Sequence, residues 1–234
     1  IGNYRGSITK TFEIKDPRVD ISTLEIKMAS REMYSGTERK PIVRINGLVR
    51  NKDFTVSYVN NINPGKATAI IRAKGECTIG TVTKTFTIYR KMSTLDAELE
   101  YANSEYDGKE KTPKVTIAGL TEGKDYTIVS YTNNINVGEA TVTIKGISDY
   151  YTGTLTKTFN ITQKDMSNMN AKLSYESCEY NGKEREPDVT IEGLIKGKDY
   201  TVSYANNINV GQATVVIRGT GNYKGSITKT FEIK

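Results

Sequence analysis

The feature that most constrains this chain is a sequence repeat with a period of about 73 residues, which is typical of an array of small structural units. A Thr-Phe-x-Ile phrase occurs four times at nearly equal spacing, and its phenylalanines are Phe12, Phe86, Phe159 and Phe231. The phrase Asn-Asn-Ile-Asn occurs three times with the same period, beginning at Asn60, Asn133 and Asn206. We therefore expect several small hydrophobic cores instead of one large core.

The lengths of the connections indicate where one repeat ends and the next begins, because insertions collect in connections. We place three full repeats at residues 16–89, 90–162 and 163–234, and name them repeat 1, repeat 2 and repeat 3. Residues 1–15 match residues 220–234 from Gly2 onward except at Arg5, which predicts the C-terminal strand of a preceding, truncated repeat. We expect this strand to fray or to add to an exposed sheet edge of a neighbouring molecule.

Short stretches of alternating apolar and polar residues predict β-strands within each repeat. In repeat 3, one such strand places Ala213, Val215 and Ile217 on a single face. The Asn-x-Gly phrase at residues 209–211 predicts a hairpin turn before it. Strands that begin at a proline are predicted at residues 41–45, 113–117 and 187–191. One extra residue between Asp125 and Tyr131 predicts a β-bulge in repeat 2.

These patterns together predict the fold class. No window of the sequence keeps a helical period, so the chain is predicted to be all-β. Five to seven strands in about 73 residues fit a small Ig-like β-sandwich, which makes the protein a tandem array of such sandwiches. The alternative is that each repeat is one curled sheet with a short helix.

Residue types that many enzymes and metal sites need are missing. The chain has no His, and so lacks the commonest general base and the commonest metal ligand. Cys77 and Cys178 stand at non-equivalent positions of different repeats and form no Cys-x-x-Cys motif, so neither a disulfide nor a zinc site is predicted. Asp16 and Asp20, in the linker segment at the start of repeat 1, give the one suggestion of a calcium site. No catalytic residue, metal or cofactor is expected.

The charge is distributed unevenly among the repeats. Repeat 1 carries 12 basic and 7 acidic residues, repeat 2 carries 8 and 10, and repeat 3 carries 10 and 9. An array that binds nucleic acid should carry a basic stripe in every unit, because the phosphate groups repeat as well. No nucleic-acid partner is therefore predicted. No run of 18 apolar residues occurs, so no membrane insertion within this segment is predicted either.

Fifteen tyrosines raise the question of glycan binding, since aromatic faces stack on sugars. Most of them recur at fixed repeat positions: Tyr34, Tyr106 and Tyr180; Tyr58, Tyr131 and Tyr204; Tyr4, Tyr150 and Tyr223. This recurrence favours a structural role, in which the ring packs and the hydroxyl holds a loop. A binding site would be sought at the less regular tyrosines, which are Tyr89, Tyr101, Tyr151 and Tyr175.

Repeat 3 carries a set of phrases that suggests a family. They are Tyr-x-Gly at Tyr180, Gly-x-Asp-Tyr-Thr-Val-x-Tyr from Gly197, Asn-Asn-x-Asn-x-Gly from Asn206 and Gly-Asn-Tyr-x-Gly from Gly221. On these phrases the chain resembles the tandem Ig-like (YDG/MBG-like) repeats of large surface proteins of Gram-positive bacteria. Repeat 1 departs from the pattern at residues 75–77. The resemblance implies an extracellular, cell wall-associated protein in which such repeats form stalks or spacers.

Lysines recur on the predicted core-facing side of the last strand, at Lys84, Lys157 and Lys229. A lysine among apolar neighbours usually extends its ammonium group to the sheet edge. A sharper hypothesis is an intramolecular amide bond, as found in some Gram-positive pilins and adhesins, which needs a desolvated lysine and a carboxyl group that transfers protons. The candidate partners are Asn60, Asn133, Asn206, Asp53, Asp125 and Asp199. The three aspartates are otherwise expected to cap turns.

Two functional hypotheses follow. The first is a non-catalytic stalk or spacer of a bacterial cell-surface protein, which projects a functional domain from the cell wall and has the neighbouring repeats as its partners. The second is an adhesive module that binds a host or environmental glycan or protein through the loops of one repeat. Repeat 1, with a net charge of +5, is the best candidate for such a module. An enzyme is disfavoured, because the lysines that a Ser-Lys hydrolase would use lie within predicted strands.

Overall fold

The structure is a computed structural model that describes residues 2–3 and 5–234. The chain divides into two compact units, the first made of residues 1–91 and 148–152 and the second of residues 92–147 and 153–234. The regular structure of the described residues consists of strands and two short 3₁₀ helices, Ile21–Thr23 and Met92–Thr94. The all-β prediction is confirmed. The repeat boundaries stay a prediction and serve below as names for parts of the sequence.

Each repeat contributes seven or eight strands, most of them short. In repeat 1 these are β1 (Val19–Asp20), β2 (Ile26–Lys27), β3 (Arg31–Met33), β4 (Arg44–Ile45), β5 (Phe54–Val59), β6 (Gly65–Ala73), β7 (Thr78–Ile79) and β8 (Thr81–Lys91). Repeat 2 contains β9 (Glu98–Leu99), β10 (Asn103–Glu105), β11 (Val115–Thr116), β12 (Tyr126–Thr132), β13 (Gly138–Gly146), β14 (Tyr151–Thr152) and β15 (Thr154–Thr162). Repeat 3 contains β16 (Lys164–Asp165), β17 (Ala171–Leu173), β18 (Ser177–Cys178), β19 (Val189–Ile191), β20 (Tyr200–Ala205), β21 (Gly211–Gly219), β22 (Tyr223–Lys224) and β23 (Ser226–Ile233).

Repeat 3 shows the arrangement of these strands most completely. Its main sheet has the order β18-β23-β21-β20, and the pair β17-β19 forms a second, smaller layer. Residues of both layers enclose one core, in which Val189 and Ile191 of the small layer join Val215 and Phe231 of the main sheet. Repeat 2 repeats this topology, with the sheet β10-β15-β13-β12 and the pair β9-β11. Each repeat is therefore a small Ig-like β-sandwich, and the alternative of one curled sheet is wrong.

The predicted alternation sets the inner face of the main sheet. Ala213, Val215 and Ile217 are fully buried on β21, and so are the equivalent residues of β6 and β13. The bulge predicted in repeat 2 is confirmed, because the pairing of β12 with β13 shifts between Ile128 and Ser130. The residue passed over, Val129, turns its side chain to the solvent. Strand alternation therefore resumes on the correct face after the bulge.

Two details of the sequence prediction differ from the structure. The proline-initiated strands start late, since β4 begins only at Arg44. Pro41 offers no N–H to a ladder, and its carbonyl instead accepts a side-chain hydrogen bond from Tyr58. The hairpin turn is a longer loop between Val59 and Gly65, and its left-handed residue is Asn60, with a φ of 55°.

Short parallel pairs near the start of each repeat were not predicted. Val19 and Asp20 of β1 pair with Thr78 and Ile79 of β7, and Lys164 and Asp165 of β16 pair with the two residues of β22. Within the first unit, β14 pairs in the same way with the end of β8. Pairs of two residues show no alternation that a sequence pattern could reveal.

The segment before repeat 1 has the sequence of a strand but no strand partner. Of residues 2–3 and 5–15, none belongs to a β-ladder, and all are exposed. Its predicted place as the last strand of another repeat stays a prediction, and Tyr4 lies outside the described residues. A strand sequence forms a strand only when a neighbour supplies hydrogen bonds to its N–H and C=O groups.

Phe12 and Phe231 occupy the same position of the same phrase, yet 85% of Phe12 is exposed and only 2% of Phe231. We predict that Phe231→Ala lowers the free energy of unfolding of repeat 3 by about 3–5 kcal/mol, because it leaves a cavity in the core. Phe12→Ala is the matched control and should change it by less than about 0.5 kcal/mol. Hydrogen exchange of the β21 amides measures both, and equal effects of the two substitutions would contradict the assignment of the core.

Candidate functional site

The tyrosines that recur near the end of β5, β12 and β20 tie the two layers of each sandwich together. The hydroxyl of Tyr58 donates to the carbonyl oxygen of Pro41 at 2.6 Å, that of Tyr131 to Pro113 at 2.8 Å and that of Tyr204 to Pro187 at 2.7 Å. The ring of Tyr58 packs edge-on against Phe86, and the ring of Tyr131 against Phe159. These tyrosines have the structural role predicted for them.

The Asn-Asn-Ile-Asn loops are anchored by their second asparagine. The side-chain amide of Asn134 donates to the carbonyl oxygen of Lys111 at 3.0 Å, and the N–H of Lys111 donates back to the carbonyl of Asn134 at 2.7 Å. The same two bonds join Asn61 to Arg39 and Asn207 to Arg185. The first asparagine of each loop, with a φ of 55° or 56°, supplies the left-handed turn that Asn tolerates better than most residues. The first two asparagines of each loop therefore shape and stabilise the backbone of their own repeat.

The recurrent aspartates cap a turn, as predicted. Carboxylate oxygens of Asp53, Asp125 and Asp199 accept the N–H of the residue four positions earlier, at 2.7, 2.9 and 2.9 Å. The donors are the backbone N–H groups of Val49, Thr121 and Ile195. A carboxylate used in this way stabilises the turn before β5, β12 and β20.

Two of the four less regular tyrosines also have packing roles. Tyr101 lies edge-on against Phe159 with ring centroids 6.2 Å apart, and Tyr175 against Phe231 at 5.8 Å. Tyr89 stacks under the guanidinium group of Arg31 at 4.8 Å, and Tyr151 lies half-buried in β14. The rings of Tyr101 and Tyr175 are therefore partly buried against the core, and ligand binding at these positions stays a prediction.

The strand register also corrects one tyrosine equivalence. Tyr223 pairs with Lys164, and the residue that pairs in the same way with Arg90 is Tyr151, not Tyr150. By the same register, Cys77 corresponds to Asn222 and not to Tyr223.

The last glycine of the loop at residues 221–225, Gly225, has a φ of +86°, and a Cβ there would overlap the side chains of Asp165 and Ser167. Glycine is therefore required at this position.

Within the second unit, the Gly-Asn-Tyr-Lys-Gly loop of repeat 3 lies against two loops of repeat 2. The side chain of Asn222 accepts the N–H of Val137 at 2.9 Å and donates to the side-chain oxygen of Asn136 at 3.0 Å. The rings of Tyr106 and Tyr223 meet edge-on, with centroids 5.6 Å apart. We call Tyr106, Asn136, Val137, Asn222 and Tyr223 the clamp. Burial, and secondarily the charge of Tyr106, raise the pKa of Tyr223 above its ordinary value.

The three predicted cross-link lysines lie within strands, on the face that carries the core residues. Lys84 is exposed, and Lys157 and Lys229 are half-buried. The ammonium group of Lys157 forms an ion pair with Asp96, at 2.5 Å between Nζ and Oδ1, and lowers the pKa of that carboxyl. Asp96 was not among the predicted partners, although its repeat equivalents Glu25 and Asn170 are also acidic or amide residues. The amide bond itself stays a prediction.

The remaining candidates are accounted for by local contacts. Asp16 pairs with Arg18 at 2.7 Å, which holds the pKa of the carboxyl at about 2, and Asp20 caps the first 3₁₀ helix through Ser22. Across residues 2–3 and 5–234, no three His, Cys, Asp or Glu side chains come together as a metal site would require. Both cysteines are free. None of the helices in that part of the chain is long and apolar enough to span a membrane.

Comparisons with known proteins reach no family. No protein-family model and no curated protein matches the chain. Among solved structures, the three-domain I67–I69 fragment of the titin I-band matches 90% of this chain over 97% of its own length, with 11% identity and a TM-score of 0.34. Domains 4–9 of the surface layer protein SbsC match 90% of the chain over 47% of their length, with 15% identity and a TM-score of 0.21. At such TM-scores the likeness assigns neither family nor function.

The half-buried tyrosines Tyr58, Tyr131 and Tyr204 make the fold sensitive to alkali. Burial raises the pKa of Tyr58, Tyr131 and Tyr204 above the ordinary value of 10.0, so the folded state disfavours the phenolate. The folded state then binds more protons than the unfolded state above pH 10, and stability falls as the pH rises through that range. We predict a free energy of unfolding that is constant from pH 8 to about 9.5 and decreases above pH 10 in urea titrations.

Tyr204→Phe tests the same bond at neutral pH. Leaving the Pro187 carbonyl without its donor should cost about 1–3 kcal/mol, and the alkaline loss should become smaller. The control is Tyr180→Phe at an exposed ring. An alkaline slope that Tyr204→Phe leaves unchanged would show that this hydroxyl is not buried.

Intact mass spectrometry tests the predicted amide bonds. Each Lys–Asn bond removes one ammonia and each Lys–Asp bond one water, so the mass of the chain should fall by one such molecule per bond. Lys157→Ala is the informative variant because it removes one bond at most. The unmodified mass for the whole chain would end the hypothesis and leave Lys157 and Asp96 as an ion pair.

Proposed function

We propose that this chain is a non-catalytic stalk or spacer segment of a bacterial cell-surface repeat protein, which holds a functional domain away from the cell wall. One observation carries the proposal: the residues that recur in every repeat are engaged in holding the repeat together. Tyrosine hydroxyls, asparagine amides and aspartate carboxylates all bond to backbone groups in three equivalent copies. A catalytic or ligand site would instead need recurrent polar groups that point toward a reactant.

The phrase set supports the finer parts of this proposal. The Tyr-x-Gly and Gly-Asn-Tyr-x-Gly phrases resemble the YDG/MBG-like repeats of Gram-positive surface proteins, where such arrays act as stalks. The phrases have definite physical roles in this fold, since Tyr180-Asn181-Gly182 forms a turn and Gly225 leaves room for the side chains of Asp165 and Ser167. An extracellular, cell wall-associated location follows from the same resemblance.

A modular spacer should respond to force one repeat at a time. We predict three unfolding events when the chain is stretched by its ends, each releasing roughly 240–260 Å of contour length, because about 73 residues extend at 3.3–3.6 Å each. Single-molecule force spectroscopy makes this measurement. Phe231→Ala is the internal control, since it should weaken only the event of repeat 3. One event that released the whole chain would contradict a modular spacer.

The second candidate function is adhesion through repeat 1. Its support is a depression on the small layer with three basic residues, Lys27, Arg44 and Arg50, and one acidic residue, Glu25, which pairs with Lys27. A screen of the whole chain against glycans and matrix proteins tests it. Binding that Arg44→Glu and Arg50→Glu abolish would establish adhesion over the spacer. An absence of binding in this screen would leave the spacer as the proposed function.

A further inference from the structure

The clamp of the second unit uses complementary groups from two repeats. Repeat 2 supplies a receiving surface made of the Tyr106 ring, the Asn136 amide oxygen and the Val137 N–H. Repeat 3 supplies an inserting loop with Asn222 and Tyr223. The Asn222 amide is satisfied as acceptor and as donor at once, which only a donor and an acceptor side by side can achieve.

Repeat 3 carries the same receiving surface at its own Tyr180, Asn209 and Val210. There the surface is open: 52% of Tyr180 and 65% of Val210 are exposed. The equivalent residues of repeat 2, Tyr106 and Val137, are half-buried under the inserting loop. The two surfaces differ in what covers them, not in the residues that compose them.

The sequence of repeat 1 lacks one part of this receiving surface, the backbone N–H donor. Its residue at the position of Val137 is Pro64, which has no N–H to donate to an inserted asparagine. Repeat 2 in turn carries Tyr150 at the position of Asn222. The N–H donor is therefore missing in repeat 1, and the asparagine that would accept it is missing in repeat 2. Repeat 3 keeps the donor at Val210, and residues 2–6 keep the Gly-Asn-Tyr-x-Gly phrase.

We propose that Tyr180, Asn209 and Val210 form a docking surface for a further Ig-like repeat that presents a Gly-Asn-Tyr-x-Gly loop. This repeat would insert its asparagine between the Val210 N–H and the Asn209 side chain, and would place its tyrosine edge-on against Tyr180. The inference deepens the proposed spacer function, on which it rests, by naming the partner that each repeat end accepts. A Pro in place of Val210, or another residue in place of the asparagine, defines an end that does not accept this partner.

The test extends the whole chain with a second copy of residues 163–234 placed directly after Lys234. This connection keeps the native spacing, because Ile233 and Lys234 correspond to Ile161 and Thr162. Hydrogen exchange of the Val210 amide is then compared in the original and the extended chain. We expect about tenfold slower exchange in the extended chain, since the amide gains a hydrogen bond to a covered acceptor.

Two matched controls isolate the clamp. A copy of residues 90–162 appended at the same place carries Tyr150 and should leave the Val210 exchange unchanged. Asn222→Ala in the appended copy of residues 163–234 should abolish the protection while the β21 amides of that copy stay protected. Unchanged Val210 exchange beside a folded appended copy would overturn the proposal. An appended copy that does not fold would also count against it, because the same sequence folds beside repeat 2.

Failure here is distinguishable from failure of the proposed function. A chain with three separate unfolding events but an unprotected Val210 would be a spacer whose ends do not clamp. A chain that binds a glycan through repeat 1 and still protects Val210 would be an adhesin whose repeats clamp. The force measurement, the binding screen and the exchange of the Val210 amide are independent readouts, so each can fail without the others.

Discussion

The hydrogen bond from a tyrosine hydroxyl to a proline carbonyl is the interaction on which each repeat depends. Tyr58, Tyr131 and Tyr204 lie on the main sheet, and the prolines precede the second strand of the opposite layer, which is β4, β11 or β19. A domain of about 73 residues buries a small core and has little stability to spare. The part-buried hydroxyl holds the two layers together at one edge of the core, in which small residues such as Ala67 and Ala140 are fully buried.

The pattern of polar bonds explains how a chain with 36% hydrophobic residues folds into sandwiches. Loop backbone that would otherwise lack partners is bonded by recurrent Asn and Asp side chains, so the loops need few apolar contacts. Repeat 1 lacks one tyrosine hydrogen bond that the other two repeats have. It has Phe54 where repeats 2 and 3 have Tyr126 and Tyr200, whose hydroxyls donate to Val115 and Val189. The Tyr–Pro bond, the bonds of the second asparagine and the aspartate cap are common to all three repeats.

The sequence predicted the features that local pattern or repeat comparison can reveal. The buried faces of β6, β13 and β21, the bulge near Val129 and the capping by Asp199 follow from alternation and turn chemistry. The parallel pairs escaped prediction because Val19 meets Thr78 from the far end of the repeat, in a strand too short to alternate. The partner of Lys157 escaped for a similar reason, since Asp96 approaches it only after the two layers pack. Insertions of one residue also concealed that Tyr151, not Tyr150, corresponds to Tyr223.

The parallel pairing of the last strand has a mechanical consequence. In each repeat an early strand runs parallel to the last one, as β18 does to β23, and their connections lead away toward opposite ends of the repeat. A pull on the two ends therefore slides these strands past each other and loads their hydrogen bonds in shear, all at the same time. An antiparallel pair pulled from one end would open bond by bond. The topology thus suits a protein element that carries tension along its length.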